Sequence, residues 1–113
     1  MKLNLDVVPS NLDEAVQVLT KAIDSEQEKE NMKDPVGLHF NFGMYLRNNW
    51  SLWERDTVLV KWFKENLGIS HADDISGTIL EALAASLEGR EFDAKKHVRI
   101  YIEHWERLGI KDY

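Results

Sequence analysis

His71, Asp73 and Asp74, with Ser76 close behind, are the residues whose types and spacing could do chemistry. One imidazole and two carboxylates within four positions could pass a proton or begin a metal site. A metal needs three or four converging ligands, and this segment offers a single histidine. His39, His97 and His104 lie elsewhere. The last two are seven apart, two turns along one helix face and too far to chelate one ion. Ser76 lacks the Gly-x-Ser-x-Gly setting that exposes a nucleophile. The plainer use of Asp73 or Asp74 is to cap a helix. A Walker loop, a dinucleotide fingerprint and a His-Glu-x-x-His pair are all missing. The sequence therefore assigns no catalytic residue, no metal and no cofactor.

A second cluster lies upstream, where Arg47, Asn48, Trp50 and Trp53 fall within seven positions. Tryptophan and arginine dominate binding hot spots, so a recognition patch is one reading. The other, which weighs more, has the indoles plugging the core while polar side chains close a helix end. One buried and one exposed tryptophan would combine the two. A third feature is acidic: Asp24, Glu26, Glu28 and Glu30, then Glu88, Glu91 and Asp93. Such runs are mostly solvated faces, and they also suit a cationic partner.

The elements that must position these residues read as helices. Ser10 followed by Asp13 has the form of a capping box, and Leu12, Ala15, Val16, Leu19 and Ile23 follow on one stripe. The pattern predicts a first helix over 11–23. The polar stretch 26–32 reads as a helical extension or a loop. Asp34-Pro35 predicts a helix running to 48 or 49, with Val36, Phe40, Gly43, Met44 and Arg47 on one face. Its many apolar sides make it the expected central helix, and Gly43 predicts close approach by a neighbour. Further helices are expected over 56–67, with Val58, Trp62 and Phe63 buried, and from 73 or 74 to 87. A last one runs from Asp93 to 108, and Gly68, Gly89 and Gly109 serve as stops. Leu3, Leu5 and Val7 alternate, so residues 1–9 make an extended arm at most. The expected fold is a single all-α domain over 1–113, a compact bundle or orthogonal array of about five helices.

The motif His39-x-x-x-Gly43-Met44-x-Leu46-Arg47-Asn48-x-Trp50-x-Leu52-Trp53, followed by Gly68-Ile69-x-His71-x-Asp73-Asp74-x-Ser76-Gly77-x-Ile79-Leu80, resembles a family of small bacterial proteins of unknown function. The resemblance covers roughly residues 36–90 and implies a bacterial source and no activity. It also suggests that the two clusters meet in space. Arg47 would then pair bidentately with Asp73 or Asp74, and His71 would stack on Trp50.

Bulk properties narrow the function classes. The net charge of −6 argues against nucleic-acid binding, which needs clustered Lys and Arg. No apolar run is long enough to span a membrane. A cysteine-free chain suits a reducing, cytoplasmic setting. The first expectation is a protein-binding domain, in its specific form an immunity or antitoxin-type inhibitor of a basic toxin. Its contacts would be Asp24, Glu26, Glu28, Glu30, Glu88, Glu91 and Asp93. The second is an enzyme or small-ligand domain with a pocket of Arg47, Asn48, Trp50, Trp53, His71, Asp73 and Asp74. The third is a homodimer module that buries Trp50 and Trp53.

Overall fold

The computed structural model describes residues 1–4 and 6–113 and shows helices without strands among them. The helices are α1 (Leu12–Ala22), α2 (Glu26–Asn31), α3 (Pro35–Leu38), α4 (Phe42–Asn49), α5 (Val58–Leu67), α6 (Ala72–Leu87) and α7 (Ala94–Arg107). The expected stripe of α1 is there, with Leu12, Ala15, Leu19 and Ala22 buried. Its cap falls one residue later than read. Asn11, not Ser10, accepts from the Glu14 N–H at 2.9 Å. Ser25 starts α2 by accepting from Glu28 N–H, so the polar stretch is a short helix of its own. Among its described residues the alternating arm makes no strand. Leu3 packs on the core, Val7 is exposed, and Leu5 lies outside the described residues.

The central helix is α6, not the one beginning at Pro35. It packs against α1, α3, α4 and α7, and eleven of its sixteen residues are buried. Ile75, Ile79 and Leu83 are fully enclosed at spacing four, and Ala82, Ala84 and Ala85 let neighbours come close. Small hydroxyls serve the same end. Buried Thr78 satisfies itself by donating to the Asp74 carbonyl at 2.8 Å.

The long helix expected from Pro35 is interrupted. Residues 39–41 form a turn between α3 and α4. The His39 carbonyl, which a continuous helix would give to the Gly43 N–H, instead accepts from Arg47 Nη2 at 3.3 Å. The side chains read as a buried face therefore point outward: Val36 is 80% exposed, Phe40 79% and Met44 43%. Gly43 answers to the same device. A Cβ there would lie 2.9 Å from Arg47 Nη1, so its space is taken by the guanidinium rather than by a neighbouring helix. Farther on, Val58 faces solvent at the start of α5, while Leu59, Val60, Phe63 and Leu67 fill the core. Gly68, Gly89 and Gly109 take the left-handed conformation expected of helix stops.

Candidate functional site

The two clusters do meet, and Arg47 joins them. Its side chain leaves α4 into the interior and is 2% exposed. Nη1 donates to Ser76 Oγ at 2.7 Å, and Nη2 to the His39 carbonyl. Nε lies 3.3 Å from Asp73 Oδ1 without a well-directed hydrogen bond. The guanidinium is thus spread over three partners instead of forming the expected bidentate fork. Ser76 completes the loop by donating to the Asp73 carbonyl at 3.1 Å.

Neither aspartate caps α6. His71 takes that place, its Nδ1 accepting from Asp73 N–H at 3.2 Å. Asp73 and Asp74 fall in the first turn, where the positive end of the helix favours them. Asp74 turns toward α7 and accepts from the Trp105 indole N–H at 2.8 Å. The His71 ring packs on that same indole, 5.1 Å between centroids, and not on Trp50. Trp50 is 2% exposed inside the core, and Trp53 is 54% exposed. Trp53 donates to Asn48 Oδ1 at 3.1 Å, and its ring lies 6.0 Å from the Arg47 guanidinium carbon. The polar side chains of the conditional pocket are therefore taken up by one another, by Ser76 and the His39 carbonyl, and by Trp105 on α7.

Burial pushes the Asp74 carboxyl above the ordinary carboxylate range. The Trp105 hydrogen bond and the positive charge available at His71 and His104 pull it back, while Asp73 adds to the rise. A raised pKa means that the folded state holds this proton more tightly than the unfolded one. Asp74 therefore supports folding at acid pH, and that support fades as pH climbs from about 4 through its folded pKa. In Asp74→Asn the amide still accepts from Trp105 and carries no charge. Its stability relative to the native sequence is expected to be greater near pH 7 than near pH 4, as read from urea midpoints at both. An equal difference at both would show that Asp74 titrates normally.

A second polar pair lies nearer the start of α7. The Tyr101 hydroxyl is 3.1 Å from His97 Nε2 and would be 2.9 Å from a Cβ at Gly77. Burial pushes the phenol up to about 12 and the imidazole down. Both are thus held neutral at ordinary pH. Tyr101 and Gly77 line one side of a cleft, His39, Val36 and Phe40 the other, and Glu81 adds a carboxylate.

A family model described as a domain of unknown function (DUF6794) matches residues 8–87. The chain belongs to that family. The DUF6794 match spans α1 to α6, includes most of the segment that carried the sequence resemblance, and stops at the end of α6. No curated protein matches the chain, and neither does any solved structure.

The acidic candidates divide, Asp24, Glu26, Glu28 and Glu30 inside the DUF6794 match and Glu88, Glu91 and Asp93 past its end. Asp24 and Glu26 line one cleft with Lys29 and Ser86. Glu28 turns inward, accepting from Asp24 N–H at 2.8 Å and taking the amino group of Met1. Hydrogen bonding with Asp24 and Met1 holds its carboxyl down to about 2. Glu30 pairs with Lys33 at 2.7 Å, and Glu88 with Arg90 at 2.9 Å. The hydrogen bond to Glu30 raises the Lys33 pKa, and the charges of Glu30, Glu88 and Glu26 near it add to the rise. Beyond the DUF6794 match, Glu91 and Asp93 edge a different cleft with Trp62 and Glu65, and Asp93 is occupied in capping α7.

The exposed row Val36, Phe40 and Met44 is what sequence reasoning missed as a surface. Its spacing of four is that of a core stripe. The available signal was Arg47 on the same predicted face, since a charge among core positions must find polar partners, here including a backbone carbonyl taken from the helix.

Proposed function

We propose that this domain is a protein-binding module that covers a basic partner, as an immunity or antitoxin-type inhibitor covers a bacterial toxin. The observation that carries the reading is the exposure of Val36 and Phe40, at 80% and 79%, beside the cleft that holds Glu81. Large apolar side chains so fully in water mark interaction surfaces when they lie together. The carboxylate among them and the net charge of −6 favour a cationic partner and speed its approach. Glu26, Glu30 and Glu88, near Lys33, add to that attraction. A bacterial cytoplasm is the setting that goes with this reading. The catalytic alternative has less support, because Arg47, Asp73 and Asp74 are engaged in holding α4, α6 and α7 together.

The test compares capture by the native sequence and by Phe40→Asp from the source cells, with the self-association of both measured by sedimentation. A captured protein of pI above about 9, lost at least tenfold with Phe40→Asp, is the expected result. Equal retention by the variant, or an acidic captured protein, overturns the reading. So does a homodimer that Phe40→Asp dissolves, because the row would then belong to a second copy.

A further inference from the structure

The outer face of α5 gathers positive charge, against the trend of the chain. Arg55, Lys61 and Lys64 line a cleft of about 210 Å³, together with Ser70, Glu65 and Asp112. Ser70 is 6% exposed, and its hydroxyl has no hydrogen-bond partner among the described residues. That oxygen is itself enclosed, so Ser70 forms the back wall of the cleft. Asp112 from the C-terminal segment pairs with Arg55 at 2.9 Å. Tyr113 fastens that segment. Its carbonyl accepts from Lys64 Nζ at 3.4 Å, its ring lies 5.0 Å from the same ammonium, and the ring stacks with Trp105. Lys61 has no ion pair among the described residues.

We propose that this cleft is a phosphate-binding site whose ligand position is held, in this structure, by the chain's own Asp112. Charge decides between phosphate and carboxylate. Three cations and Glu65 leave two positive charges once the segment carrying Asp112 and the Tyr113 oxygen withdraws as a whole. A phosphate monoester dianion neutralises both, whereas a carboxylate leaves one over. Arginine and lysine suit tetrahedral oxyanions, arginine through its fork and lysine as a point charge. The Arg55–Asp112 pair is exposed at the rim, where ion pairs are weak, so the internal occupant can be displaced. The ligand is a phosphate monoester, free or as a lipid headgroup. The site is independent of the protein-binding face.

The experiment is an NMR titration of the full chain at constant ionic strength with inorganic phosphate, glycerol 3-phosphate and acetate. Flotation with vesicles containing phosphatidic acid runs in parallel. Saturable amide shifts centred on Lys61, Lys64 and Ser70 are expected with both phosphates and much weaker ones with acetate. Asp112→Asn removes the internal competitor and tightens phosphate about tenfold, and Tyr113→Ala does the same by loosening the segment. Combining Arg55→Gln with Lys61→Gln weakens phosphate at least about tenfold. Vesicle binding lost in the Arg55/Lys61 variant assigns the ligand to lipid, and binding of glycerol 3-phosphate alone assigns it to a free monoester. Linear shifts spread over the chain's lysines overturn the proposal. Equal affinity for acetate, or no tightening in both Asp112→Asn and Tyr113→Ala, does so too.

Discussion

Arg47→Ala is expected to remove about 3–5 kcal/mol of folding stability, a large part of what a domain of this size has. The guanidinium is enclosed and serves three groups at once: Ser76 Oγ, the His39 carbonyl and Asp73. Alanine leaves the hydroxyl and the carbonyl without their donor, and it empties the space that Gly43 keeps open. The break between α3 and α4 also loses the group that satisfies it. Arg47→Lys should recover less than half of the loss, because one ammonium on a flexible stem cannot reach all three partners. Urea unfolding followed by far-UV circular dichroism reads both variants. A loss below about 1 kcal/mol for Arg47→Ala would show that the network is dispensable.

Trp50→Ala and Trp53→Ala, three residues apart, are expected to differ several-fold. Trp50 is 2% exposed and closes α4 against the core, so its removal leaves a cavity and costs about 3–5 kcal/mol. Trp53 is 54% exposed and bonds through its indole to Asn48, so its loss should stay within about 1 kcal/mol. The same unfolding curves decide. Equal losses would mean that Trp53 packs in solution as Trp50 does.

The legible part of this fold was whatever depended on local chemistry. Ser25, Asp34 and Asp93 start helices as their types suggest, and glycines 68, 89 and 109 follow helix ends as expected. The stripe of α1 and the four-residue spacing along α6 also read directly from the pattern. What failed was decided by tertiary contacts. The stretch from Pro35 to Asn49 has the periodicity of one helix, but Arg47 claims a backbone carbonyl and divides it. His71 takes the cap that the two aspartates would fill by propensity, which frees Asp74 to meet Trp105, thirty-one residues away. The convergence of Arg47 with Asp73 was legible because the two clusters flank one helix. The pairing of Asp112 with Arg55 had no local signal, since it joins positions fifty-seven apart.

The position of α6 late in the chain has a consequence for how the protein is made. Helix α1 ends at Ala22, yet the surface it needs begins at Ala72. A growing chain therefore leaves the ribosome with Leu12, Leu19 and Leu46 uncovered until residue 87 has emerged. Until α6 emerges, the nascent segment has no core to close around. It is then open to chaperones and to association with other chains, and collapse awaits the arrival of a single late helix.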